Sequence, residues 1–161
     1  MIMKRLLFAL TLLLLSFSAL AIHPAVYEKS AKIPLSKAVK LVSKQLDSAG
    51  YAVVDELPVS ENLKRMAKKW GDDYNRNKLE GITSLVFCSG WYVNQVSNLD
   101  PNLLGLCPLH VTLTHKSGMT TVLFNRHSAI SAGSPAEKVL REVENEVIQA
   151  IEAALNAKQG S

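Results

Sequence analysis

Five residues in one stretch have types that could do chemistry: the thiols of Cys88 and Cys107, the imidazoles of His110 and His127, and the amide of Asn125. Two thiols allow a single intramolecular pairing. The alternatives are a structural disulfide, two buried free thiols, or one reactive thiol. A disulfide across the loop of 18 intervening residues would contribute about 3 kcal/mol through loop entropy. No Cys-x-x-Cys spacing occurs, which removes the thioredoxin-like motif. Cys88 ends one apolar run and Cys107 begins another, so their closeness depends on strand direction. Parallel strands would separate them and antiparallel strands would bring them together. Ser89-Gly90 after Cys88 offers backbone N–H groups, although a turn that needs glycine also accounts for it.

The histidines belong to a hairpin. Lys116-Ser117-Gly118-Met119 reads as a tight turn between runs 107–115 and 120–125. A two-residue turn at Ser117-Gly118 sets His110 opposite Asn125 and Val111 opposite Phe124. Leu109, Val111, Leu113, Val122 and Phe124 then share the buried face. His110, Thr112 and Thr114 share the other with Thr121, Leu123 and Asn125, and His127 is expected diagonal to His110. Such a face could take a metal, an anion, a small ligand or a partner chain, a second copy included. No His-x-x-x-His helix or carboxylate completes a metal set. His115 is expected at the rim beside the turn, and His23 in the N-terminal arm.

Other elements must hold this stretch in place. Ala38, Val39, Leu41, Val42 and Leu46 recur at helical spacing over 36–49, and Gly50 stands where a helix stops. Residues 51–57 read as a strand closed by Pro58. Ser60 is expected to cap a second helix with Leu63, Met66, Ala67, Trp70 and Tyr74 on its core side. Its other face carries Lys64, Arg65, Lys68 and Lys69, a solvated helix face in character because Asp72 and Asp73 follow. Residues 82–88 form a further strand, and Asp100-Pro101 marks a helical start within 91–106. Ser134-Pro135-Ala136-Glu137 reads as a capping box opening a last helix. There Val139, Leu140, Val143, Val147, Ile151, Ala154 and Leu155 face inward, and Glu142, Glu144, Glu146 and Glu152 face outward. This order predicts a two-layer α+β domain. Its small mixed sheet has about four strands, with crossover connections, one antiparallel hairpin and helices on one face.

At the N-terminus Lys4 and Arg5 precede an apolar run, and Ala19-Leu20-Ala21 supplies a small-residue cleavage pattern. That is a signal peptide over 1–21, with cleavage expected before Ile22. Residues 22–35 are expected as an extended arm and 36–161 as one domain. With no lipid-bearing cysteine at the cleavage point, the expected destination is the periplasm or the medium, with no integral membrane anchor afterwards. Removing Lys4 and Arg5 lowers the formal charge from +4 to +2, which argues for no nucleic-acid partner.

Signatures of nucleotide, haem, zinc-protease and hydrolase chemistry are absent, and no cofactor is indicated. Asp55 and Glu56 are adjacent on a strand and point to opposite faces, so they cannot act together as acid and base.

The order of elements nonetheless resembles the domain of unknown function 302 family. Its pattern has a helix ending in Gly before a strand, here 46–54. A strand running into a Cys-Asn-Pro turn follows, here Leu85-Val86-Phe87-Cys88-Ser89-Gly90. The family's hairpin opens with Leu-Pro-Cys-Asn, here Leu106-Cys107-Pro108-Leu109-His110-Val111. The likeness covers about residues 36–127. Ser89-Gly90 stands where the family often has Asn-Pro, and Cys107 precedes the proline instead of following it. The resemblance implies a small, often exported, self-associating α+β domain with no established activity. The resemblance leaves function open, and the expected function is a non-enzymatic binding or interaction domain. A thiol- or metal-dependent redox accessory protein using Cys88 is the alternative.

Overall fold

The structure, a computed structural model, describes residues 25–156; the expected signal peptide over 1–21 and His23 lie outside them. Strand β1 (Val26–Ala31) leads to helix α1 (Leu35–Ser48) and strand β2 (Ala52–Leu57). Two short helices follow, α2 (Val59–Lys64) and α3 (Ala67–Trp70), with a 3-10 turn at Gly71–Asp73. Strand β3 (Gly81–Cys88) runs into helix α4 (Gly90–Leu99) and a 3-10 segment (Pro101–Leu106). Strands β4 (Leu109–Lys116) and β5 (Met119–Asn125) form the hairpin, and after a 3-10 turn (His127–Ala129) helix α5 (Glu137–Asn156) ends the fold.

The sheet has five strands in the order β1-β5-β4-β3-β2, and every neighbouring pair is antiparallel. This corrects the expected mixed sheet of about four strands in two ways. The part of the 22–35 arm from Val26 to Ala31 is an edge strand on β5. The excursion from β2 to β3 also returns its strand antiparallel, and the expected crossover is made instead by α1, which carries the chain from edge strand β1 to the parallel, non-adjacent edge strand β2. The hairpin register matches the expected one, with Val111 opposite Phe124. Ser117 and Gly118 take φ of 51° and 75°, the left-handed pair that a two-residue hairpin turn requires.

Strand alternation sends Leu85, Phe87, Leu109, Val111, Leu113, Val122 and Phe124 to one face, where α1 and α5 cover them. From α1 come Ala38, Val39, Val42 and Leu46, and from α5 Val143, Val147, Ile151, Ala154 and Leu155. Helix α1 stops where expected, because Gly50 adopts φ of 84°. Side chains of this size each contribute about 1.5–3 kcal/mol on full burial, so this layer carries most of the fold's stability.

The expected second helix is not continuous. Residues 59–73 break into three short pieces, and none of Leu63, Met66 and Trp70 is buried. Gly71 at φ 52° ends the second piece, and the Met and aromatic stripe lacks a covering layer. Ser60 lies within α2 and does not cap it. Its hydroxyl donates to the Ile82 carbonyl at 3.3 Å and accepts from the Ile82 N–H at 3.2 Å, closing the edge of β3 beyond the end of β2. Helix α5 begins at Glu137, two residues after Pro135, the expected first helical position. The capping contacts are displaced by one residue: Ser134 Oγ accepts from Ala136 N–H at 3.1 Å, and the Glu137 carboxylate accepts from Gly133 N–H at 2.8 Å.

Candidate functional site

With α1 and α5 covering one side, the other face of the sheet has, among the described residues, only α2 at its β3 edge. The registers lay its residues out in rows. One row runs Glu28, Leu123, Thr112, Ser84, Leu57, and continuing the β4–β5 register one pair beyond Val111 and Phe124 gives the next as Val26, Asn125, His110, Val86, Asp55. Hydroxyls bridge neighbouring strands: Ser84 with Thr112 and Ser30 with Thr121, both at 2.8 Å. His110 and Asn125 are exposed, while Val86 and Leu123 are half-buried. The face thus offers one imidazole and one amide over paired hydroxyls, a surface for hydrogen bonding and flat apolar contact. Asp55 and Glu56 occupy successive positions on β2, as expected, and both are exposed.

His127 is not on this face. Alternation ends at Arg126, and the 3-10 turn at His127–Ala129 swings the imidazole inward, where it is 5% exposed and packs on Phe124 at 5.2 Å between ring centroids. Burial holds its pKa below the usual value; Glu144 opposes that shift and His110 adds to it. Its Nδ1, like the buried Ser131 hydroxyl, has no protein hydrogen-bond partner. Beside it lies a carboxylate that the sequence reading placed outside. Glu144 is 4% exposed. It accepts from Arg126 Nη1 at 3.0 Å and from Ser128 N–H at 2.9 Å, while the Arg126 guanidinium lies 5.6 Å over the Tyr27 ring. Burial alone would raise the Glu144 pKa, but the Ser128 hydrogen bonds and the Arg126 charge outweigh it and hold the carboxyl below its ordinary range.

The two thiols come to the same end of the sheet. Continuing the antiparallel β3–β4 register beyond Phe87 and Leu109 puts Cys88 at the strand end where β4 begins, beside Cys107. Both are free and half-buried, and both line one small cavity with Tyr92, Val96, Leu140 and Val143. Burial pushes the Cys107 thiol above its ordinary value, and the neighbouring Cys88 adds to the shift. Helix α4 starts immediately after Ser89, with no side chain capping its N-terminus, and Trp91 in its first turn is 66% exposed.

A third arrangement joins residues far apart in the sequence. Tyr51 and Tyr92 stack at 6.0 Å, and Tyr51 meets Phe87 edge-on at 5.7 Å. Both hydroxyls donate to Glu146, at 2.8 Å from Tyr51 and 2.7 Å from Tyr92. The Tyr92 pKa is pushed up to about 12, first by that hydrogen bond and then by burial. Near the hairpin turn, the Thr120 hydroxyl donates to the Ile33 carbonyl at 2.7 Å and so accepts from His115 Nδ1 at 2.8 Å. His115 is half-buried, at the rim as expected. A separate cleft of about 310 Å³ opens at the β3 edge, lined by Ser60, Lys64, Tyr74, Asn75 and Glu80. Among the described residues no cluster of three or more His, Cys, Asp or Glu could hold a metal, and no helix is long and apolar enough to cross a membrane.

Comparison with known proteins agrees with this architecture. The model for the family described as domain of unknown function DUF302 matches residues 27–157, beginning nearly ten residues before the resemblance drawn from motifs. The crystal structure of an uncharacterized conserved protein DUF302 from Bacillus stearothermophilus shares the fold. Its TM-score is 0.67 at 14% identity, covering 81% of this chain and 98% of that one. No curated protein matches the chain.

Proposed function

The chain belongs to the domain of unknown function DUF302 family, and from that premise we propose that it is an exported, non-enzymatic binding domain that engages its partner through the sheet face opposite α1 and α5. The observation that carries this reading is the row Val26, Asn125, His110, Val86, Asp55, with rows of paired hydroxyls beside it. Such a face presents fixed donors and acceptors on a rigid sheet, suited to a flat partner such as a second copy of the chain or a small polar ligand. Export to the periplasm is supported by Lys4 and Arg5, the apolar run and Ala19-Leu20-Ala21. Native mass spectrometry of the protein purified from the periplasm tests the reading. A second subunit or a bound adduct is expected, lost in Val86→Arg while the circular dichroism spectrum is unchanged. A bare monomer, or an assembly indifferent to Val86→Arg, would overturn it.

The thiols support a second reading, a thiol-dependent accessory protein using Cys88. The observation that favours it is the antiparallel β3–β4 pairing, which gathers Cys88 and Cys107 at one end of the sheet. Under it, Cys88→Ser abolishes function; under the first reading that substitution alters stability alone. Counting free thiols in the denatured, unreduced protein shows whether the pair is available.

A further inference from the structure

The two thiols line a cavity with the size of about one atom. The cavity lined by Cys88 and Cys107 measures about 20 Å³, little more than the roughly 10–15 Å³ that a single water needs. Its remaining wall is mainly apolar, with Tyr92, Val96, Leu140 and Val143. The Tyr92 hydroxyl is engaged by Glu146. Water would find few partners there, whereas a soft ion would meet two sulfurs.

We propose that Cys88 and Cys107 bind one copper(I) ion as a two-coordinate bis-thiolate. The inference rests on the thiol-pair reading above and names its ligand. Soft thiolates select copper(I) over harder cations. Zinc is disfavoured because it calls for four ligands in a structural site or three in a catalytic one, and the described residues hold no cluster of three His, Cys, Asp or Glu. Calcium and magnesium require cages of oxygens, which an apolar wall does not provide. Binding replaces two S–H bonds with two Cu–S bonds and releases two protons. Copper keeps its oxidation state, and the complex carries one negative charge. That charge has local compensation: the ten-residue helix α4 starts two residues after Cys88, and no side chain caps its N-terminus. The free N–H groups and the dipole of that first turn favour an anion. The apolar wall keeps water and competing ligands away from the ion.

The test uses the full-length mature protein. Thiols are first counted without reduction, and the protein is then reduced and titrated anaerobically with copper(I) against the chromophoric chelator bathocuproine disulfonate. Two free thiols, one copper per chain and X-ray absorption showing two sulfur neighbours are expected. Cys88→Ser and Cys107→Ser should each weaken binding by more than the roughly 100-fold that loss of a supporting group can cost. Should a variant fail to fold, protection of both wild-type thiols from alkylation by one equivalent of silver(I) gives the same answer. A disulfide that resists reduction would overturn the thiol-pair reading and the copper site together. Free thiols with no copper bound, or copper held by nitrogen, would overturn the copper site alone.

Discussion

His110 and His127 were expected side by side, yet they stand on opposite faces of the sheet, and those faces solve different problems. On the covered face the buried Glu144 and the half-buried charged groups beside it are answered by partners. Glu144 has Arg126 and Ser128, Glu146 receives two tyrosine hydroxyls, and Lys29 pairs with Glu152 at 2.7 Å. On the opposite face the polar groups pair lightly across strands, and His110 stays exposed. The difference shows where stability and recognition divide. Desolvated polar groups are costly to disturb because their penalty is only just repaid, while solvated ones can be changed at little cost to the fold and so are free to serve contacts.

Substitutions can break or sharpen that contrast. The largest effect belongs to Phe87→Ala, which empties a fully buried ring site beneath Tyr51 and should cost about 3–5 kcal/mol in chemical denaturation. A loss below 1 kcal/mol would mean that the covered face does not carry the fold. Glu144→Ala removes the acceptor from Arg126 and from Ser128 N–H and should cost about 2 kcal/mol. If it proves neutral, the buried pair is dispensable. Tyr92→Phe deletes one of the two donors to Glu146 and should cost about 1 kcal/mol; absorbance titration should also show the wild-type Tyr92 phenol ionising near pH 12.

A smaller, pH-dependent effect belongs to His127, whose burial penalty Glu144 partly offsets. Its folded pKa lies below the unfolded value of 6.5, so the unfolded chain takes up the proton first as pH falls. Its contribution is therefore constant above 6.5 and turns destabilising below it, down to the folded pKa. Glu144, lowered in the folded state, begins to cost stability only as pH falls below its unfolded 4.5. His127→Phe should flatten the stability profile between 6.5 and 4.5, and an unchanged slope would assign that loss to other groups. The smallest effect is that of His110→Ala on the exposed face, within about 0.5 kcal/mol. A larger loss would show that this face contributes to folding after all.

Local periodicity made much of this legible from sequence. The helix ended by Gly50, the hairpin register set by Ser117-Gly118 and the inward faces of β4, β5 and α5 depend on residues within a few positions of one another. Alternation by two and recurrence by 3.6 therefore sufficed. Even Glu144 carried a signal, since it stands four residues after Leu140 on the covered side of α5, although charge alone argued for solvent.

Other features needed contacts between distant parts of the chain. Whether Cys88 met Cys107 turned on the direction of β3 against β4, which neither strand's own residues encode. The second helix failed because its apolar stripe found no layer to pack against, and the stripe alone could not reveal that. His127 was misplaced because one 3-10 turn after β5 ended the alternation. The Tyr51, Tyr92 and Glu146 arrangement joins a pre-strand residue, α4 and α5 across 54 and 95 positions. Sequence by itself determined which residues wanted burial and which strands paired by a tight turn, because those preferences are local. Only the tertiary structure decided which polar groups were buried together, because that depends on how the sheet closes and which face the helices cover.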